Sequence, residues 1–160
     1  MDEKKSKSPE QTGDKRYLFV MVDNTDYGID LEIVQEIIVM QEISPIPSTK
    51  PFCRGVINIR GTIVPVIDLR IKMGLEPCEY DENACIVIVT FDNEKIGMIV
   101  EAVQDVLLIK SSQLQESPAR TNGNGKRSIS SQIANIDGAV KQILDVNRVF
   151  GVGQNQKAAV

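Results

Sequence analysis

The sequence predicts an all-β fold organised as two small barrels, and three observations carry that prediction. Between Tyr17 and Phe150 the chain is a series of short runs rich in Val and Ile, residues that suit a pleated surface. Asp, Asn and Gly punctuate those runs at close intervals, as turn residues do. The third observation is an internal duplication. DNTDYGIDLEIVQEII (23–38) aligns without a gap on DNEKIGMIVEAVQDVL (92–107), 69 residues later, with Asp23/Asp92, Asn24/Asn93, Gly28/Gly97, Glu32/Glu101, Val34/Val103 and Gln35/Gln104 identical. NIRGTIVPVIDL (58–69) aligns likewise on NIDGAVKQILDV (135–146), 77 residues later, with Asn58/Asn135, Ile59/Ile136, Gly61/Gly138 and Asp68/Asp145 identical.

In the first copy the predicted strands are YLFVMV (17–22), YGIDL (27–31), QEIIVM (35–40), VINIR (56–60) and TIVPVID (62–68). In the second they are ACIVIVTF (84–91), KIGMIV (95–100), QDVLLI (104–109), SQIANI (131–136) and AVKQILD (139–145). Asp23-Asn24, Arg60-Gly61, Asp92-Asn93 and Asp137-Gly138 are the hairpin turns. Helical turns are expected at Glu32–Val34, at Leu69–Met73 closed by Gly74, and at Val146–Phe150 closed by Gly151. Pro65 cannot donate to a ladder, so its strand should lie at an edge or carry a bulge there.

Each copy spans about 60 to 65 residues with five strands, a number suited to a small closed or half-closed barrel. The offset grows where the second copy carries QESPARTNGNGKRS (115–128), which reads as a mobile surface loop. A barrel this small is filled by its own side chains. Function is therefore expected on outer surfaces or at the seam between barrels. Residues 1–16 mix both charges with Ser, Pro, Gly and Gln and read as a flexible tail, and residues 151–160 as a second one.

Composition narrows the chemistry. The 160 residues hold 18 Lys and Arg against 22 Asp and Glu, a formal charge of -4 with a pI near 4.9, and no basic stripe, which argues against nucleic acid. Histidine is absent, so triads and zinc sites built on it are excluded. Cys53, Cys78 and Cys85 lack metal or disulfide spacing and suit a reducing cytosol. The first residues contain no apolar segment of a signal peptide, and no apolar run approaches the roughly 18 residues of a membrane span, so a cytoplasmic protein is expected.

Among the motifs, GVINIRGTIVPVIDLR (55–70) is the most distinctive. Its apolar positions read as a core hairpin, with Asp68 capping the following turn. Arg60, beside glycine in a tight turn, is held outward on a rigid base, where an interface anchor or a merely solvated arginine would both sit. In EIVQEII (32–38), Val34 and Glu36 share a face, and Val106 stands where Ile37 stands in the other copy. TNGNGKRS matches a phosphate loop only at Gly125-Lys126. The cysteines have no histidine partner, and nothing places Asp68 and Glu101 in a common cleft, so no catalytic group and no cofactor are assigned.

GVINIRGTIVPVIDLR followed by IGMIVEAVQDVLLI (96–109) resembles the CheW-like family of bacterial chemotaxis coupling proteins, and the resemblance runs from Tyr17 to Phe150. It implies two intertwined five-stranded SH3-like β-barrels, the first about 17–74 and the second about 84–150, with strand exchange between them. It implies an adaptor rather than an enzyme. Its partners would be the regulatory domain of the histidine kinase CheA and the cytoplasmic tip of methyl-accepting chemoreceptors, with pairing of like barrels building rings, recruitment to membrane-associated arrays, and no insertion into the membrane. An adaptor of a non-motility chemosensory array is the alternative. Carried over by position, the receptor-facing groove would involve Val34, Glu36, Arg60, Cys85 and Val106. Gln132, in a place the family usually gives to glycine, and Lys141-Gln142, within a usually apolar strand, are the departures and put the last hairpin's packing in question.

Overall fold

A computed structural model of the chain describes residues 13–47, 52–117 and 129–150. Eleven strands follow in order: β1 (Lys15–Val22), β2 (Thr25–Asp30), β3 (Val34–Val39), β4 (Cys53–Ile59), β5 (Thr62–Asp68), β6 (Cys85–Phe91), β7 (Glu94–Val100), β8 (Ala102–Ile109), β9 (Leu114–Glu116), β10 (Ser130–Ile136) and β11 (Ala139–Leu144). Two helical turns, α1 (Leu69–Lys72) and α2 (Val146–Val149), follow β5 and β11, and 3-10 turns occupy Leu31–Ile33 and Ser111–Gln113. Each of the four predicted hairpin turns joins its strands through two residues of positive φ: Asp23 and Asn24, Arg60 and Gly61, Asp92 and Asn93, Asp137 and Gly138. Two such residues in succession make a type I′ turn, whose twist matches that of the strands it joins.

The strands form a six-stranded sheet, β8-β1-β2-β11-β10-β9, and a five-stranded sheet, β3-β6-β7-β5-β4. Each sheet takes strands from both halves of the chain. The first half lends β1 and β2 to the sheet completed by β8–β11, and the second half lends β6 and β7 to the sheet of β3–β5. The duplication is reproduced in the pairing register. Val66 of β5 lies opposite Gly97, and its counterpart Ile143 lies opposite Gly28. A bulge between Cys53 and Gly55 recurs between Ser130 and Gln132.

Burial explains the continuous apolar runs. Along β1, Tyr17 and Phe19 face the interior of the six-stranded sheet while Leu18, Val20 and Val22 face the seam. Along β6, Ile86 and Ile88 fill the five-stranded sheet while Val87 and Val89 face the seam. Alternate side chains point to opposite faces, so strands buried on both faces lose the polar alternation of a surface strand. Two SH3-like barrel interiors and the seam core between them result, the seam joining Val20, Ile29 and Val22 to Ile67, Met98 and Val100. Gly28 and Gly97 serve the two interiors alike. A Cβ on Gly28 would stand 2.9 Å from the Phe19 ring, and one on Gly97 2.9 Å from Ile86 Cγ2.

The structure departs from the sequence reading in several places. The six-stranded sheet has one strand more than expected, because Leu114–Glu116 pairs with β10. At three residues and mostly polar, it carries no periodic signal, yet it has a first-half counterpart: Ser44 bridges Val56 as Gln115 pairs with Ile133. β1 starts at Lys15, and Asp14 accepts a hydrogen bond from Ser111 N–H, so the chain is ordered ahead of Tyr17. The first helical turn covers Leu31–Ile33, one residue earlier than expected.

β5 is an interior strand of its sheet, yet Pro65 leaves no donor missing. Val56 directs its N–H and C=O to Ser44, both at 2.9 Å, so the opposed Val56/Pro65 pair exchanges no ladder bonds. The Pro65 nitrogen faces the β7 side, where pairing begins only at Val66. The last hairpin is paired from Ser130 to Ile136. Lys141 there binds Asp26 at 2.7 Å, and Gln142 lies opposite Tyr27. The far end of the loop at 115–128, with its Gly125-Lys126 motif, and the tails at 1–12 and 151–160 lie outside the described residues.

Candidate functional site

The site begins with the turn that carries Arg60. Asn58 Oδ1 accepts a hydrogen bond from Gly61 N–H at 2.8 Å, and Arg60 takes φ 49° at the outermost point of the hairpin. Its guanidinium leaves the protein surface, with 72% of the side chain exposed, and reaches across to β3. There Nη2 donates to both carboxylate oxygens of Glu36, at 2.8 and 3.0 Å.

β3 is the end strand of the five-stranded sheet and, among the described residues, pairs with β6 alone. A bulge between Val34 and Glu36 sets its register, with Val34 opposite Val89 and Glu36 opposite Ile88. Val34 is half-buried against the seam core. Cys85 packs against the same core, opposite Val39, with its thiol 3.6 Å from the carbonyl of Asn83. Val106 stands apart, on β8 at the edge of the six-stranded sheet, opposite Leu18 and 47% exposed. Of the five expected residues, the structure thus joins Arg60 directly to Glu36, sets Val34 and Cys85 on one core, and puts Val106 on the other barrel.

The exposed apolar residues extend the Ile37/Val106 correspondence with two further pairs that sequence reading missed. Ile37 and Val106, Val39 and Leu108, and Ile63 and Val140 are all exposed large hydrophobics. Each pair is related by the duplication offset, 69 residues for the first two and 77 for the third. The two barrels therefore carry the same apolar positions on an end strand and just past a hairpin turn. The signal was present in the alignment, but exposure at these positions depends on which strands end a sheet.

No group of three or more Cys, Asp or Glu among the described residues could hold a metal ion. Asp68 and Glu101 bind different groups of Arg70, its backbone N–H and its guanidinium. Asp68 is fully buried and accepts from Arg70 N–H at 2.9 Å, the Tyr80 hydroxyl at 2.8 Å and Arg54 Nη1 at 3.2 Å. Glu101 accepts from Arg70 Nη1 at 2.9 Å and Asp23 N–H at 3.0 Å, tying the β1–β2 turn to α1 where the chain passes from one sheet to the other. Arg70 is held protonated above its ordinary value by Glu101 and Asp23, against the opposing effect of its own burial. No described helix is long and apolar enough to cross a membrane.

A family model described as the CheW-like domain matches residues 16–153. The chain is 37% identical over 113 residues to a chemotaxis protein CheW of Klebsiella aerogenes, covering 71% of this chain and 68% of that protein. It is 31% identical over 148 residues to a chemotaxis protein CheW of Bacillus subtilis, covering 92% and 94%. Among solved structures, the scaffolding protein TtCheW from Thermoanaerobacter tengcongensis matches with a TM-score of 0.77 and 29% identity, over 87% of this chain and 94% of that one.

Proposed function

Because the chain belongs to the CheW-like domain family of chemotaxis proteins, we propose that it is a non-enzymatic adaptor coupling chemoreceptors to the histidine kinase CheA. Its partners in this reading are the cytoplasmic tip of methyl-accepting chemoreceptors and the regulatory domain of the kinase, with contacts between like barrels adding rings. It works in the cytoplasm, at membrane-associated receptor arrays.

The geometric support is the repetition of exposed apolar residues on both barrels, Ile37, Val39 and Ile63 on one and Val106, Leu108 and Val140 on the other. Clustered apolar side chains on sheet edges invite association, and in a working protein they are covered by something. Two similar but non-identical edges suit a connector of two partners. The receptor side is assigned to Val34, Glu36, Arg60, Cys85 and Val106, with the apolar members receiving a helical hairpin and Arg60 and Glu36 at the polar rim.

Titration calorimetry of the whole chain against the regulatory domain of CheA tests this, repeated with Val34→Ala and Arg60→Ala. Micromolar or tighter binding that survives both substitutions, with loss of receptor-tip binding in the same variants, is the expected result. Absence of kinase binding overturns the adaptor reading.

A further inference from the structure

The chain crosses from one sheet to the other at two corresponding points, and the two crossings are built differently. From β7 to β8 it spends one residue, Glu101: Val100 still pairs with Cys85 in the five-stranded sheet, and Ala102 already pairs with Met21 in the six-stranded one. Glu101 donates its N–H to the carbonyl of Met21 at 2.9 Å, and its carboxylate accepts from Asp23 N–H at 3.0 Å and Arg70 Nη1 at 2.9 Å. Arg70 also donates from Nε to the carbonyl of Glu76 at 3.0 Å, so one planar group grips both the crossing and the segment that leaves α1. The Arg70 and Glu101 side chains are largely withdrawn from water, at 15% and 23% exposure. From β2 to β3 the chain instead spends three residues, Leu31–Ile33, in a 3-10 turn. The counterpart of Glu101 there is the exposed Glu32, and that of Arg70 is Asn147, a short neutral side chain. The backbone cap is kept, Asn147 N–H donating to Asp145 as Arg70 N–H does to Asp68, but the guanidinium is not.

We propose that Arg70 is a positioning residue that locks the β7–β8 crossing and so fixes the start of edge strand β8, which carries the exposed Val106 and Leu108. The lock stands on the geometry; its bearing on partner binding rests on the adaptor reading. Among the described residues β8 pairs with β1 alone, and that ladder shifts register between Val103, opposite Val20, and Val106, opposite Leu18. A strand that slips by one residue turns every side chain to its other face. With a bulge between the crossing and Val106, the near end of β8 must be held if Val106 and Leu108 are to keep one orientation. Glu101, gripped by Arg70, is that fixed end. An edge already ordered loses less freedom when a partner docks on it, so the lock adds affinity without touching the partner.

Hydrogen exchange followed by mass spectrometry on the whole chain tests the lock, in wild type, Arg70→Gln, Glu101→Gln and Asn147→Ala. Arg70→Gln and Glu101→Gln should each raise exchange over residues 21–24 and 100–106 about five- to tenfold, while residues 31–39 stay within about twofold of wild type. Asn147→Ala should leave both crossings within about twofold. Glu101→Gln keeps one acceptor oxygen for Asp23 N–H and carries the test if Arg70→Gln does not fold. Unchanged exchange over 100–106 in Glu101→Gln, or equal loosening of 31–39, overturns the lock. A soluble fragment of a chemoreceptor's cytoplasmic tip, titrated by calorimetry, then tests the positioning role. Its affinity should fall about three- to tenfold in Glu101→Gln and stay within about twofold in Asp145→Ala, which weakens the chain at α2 instead. No binding to wild type with the exchange pattern intact removes the adaptor reading and leaves the lock. Equal affinity in Glu101→Gln and wild type, or an equal fall in Asp145→Ala, overturns the positioning role.

Discussion

Asp68 and Asp145 stand at the same point of the two halves, and the structure has buried one fully and the other only in part. Each donates its N–H to the carbonyl of a residue preceding the hairpin, Phe52 or Ile129, at 2.8 Å, and each caps a helical turn through its side chain. Asp68 is fully buried and also holds Tyr80 and Arg54, whereas Asp145 is 24% exposed and faces Arg148 at 3.7 Å. Removing Asp68 strips a cap and leaves the Tyr80 hydroxyl without its acceptor. Asp68→Ala should therefore cost about 2 to 4 kcal/mol and Asp145→Ala about 1 kcal/mol. Urea unfolding midpoints measure both, and equal losses would show that the cap alone matters.

The phenols supply a pH prediction. Burial holds the hydroxyls of Tyr17, Tyr27 and Tyr80 above the ordinary value of about 10, and at Tyr80 the bond to Asp68 adds to the effect. These are all the tyrosines in the chain. The unfolded chain releases its phenolic protons near pH 10 while the native one retains them, so their contribution is complete below that pH and is lost as pH rises above it. Absorbance at 295 nm should show less phenolate in the folded protein at pH 10 than in guanidinium, where titration is about half complete. A native phenol titrating at its ordinary value contradicts the packing described.

Among the described glycines, Gly55 meets the closest obstacle to a side chain. It has φ 141°, and a Cβ there would lie 2.1 Å from the carbonyl oxygen of Ser44. Gly55→Ala should cost about 2 kcal/mol or more from backbone strain and should break the Ser44–Val56 bridge. Amide exchange at Val56 checks the second point. Its counterpart Gln132 carries a full side chain at the equivalent bulge, so Gln132→Ala should change stability by no more than about 0.5 kcal/mol.

Arg60 separates stability from binding. With 72% of its side chain exposed, its pair with Glu36 adds no more than about 1 kcal/mol to folding. As an anchor desolvated by a receptor helix it would contribute about 2 kcal/mol to binding. Arg60→Ala should thus unfold within a few degrees of wild type while losing more than tenfold in receptor affinity. Equal affinity would leave Arg60 as a solvated residue with a structural pair.

The strands, the four turns and the duplication were legible because they are local matters: apolar period, positive-φ preference, and repeated residues such as Asn58/Asn135 and Asp68/Asp145 that fix the same turn and cap twice. β9 was not legible, since three residues carry no period and only the Ser44 bridge in the other half points to it. Of the candidate site, Arg60 was legible from its turn, but its contact with Glu36 was not, since 24 residues separate them and a barrel must close to bring them together. The exchange of strands is the largest decision left to tertiary structure. β3 and β8 are copies, so β1 could pair with either at nearly the same local energy. The seam core, in which Val20 and Ile29 of one sheet meet Ile67 and Met98 of the other, exists in the exchanged arrangement the chain adopts. A sequence that repeats itself determines what each half can make; which half each strand joins is decided by packing across the seam.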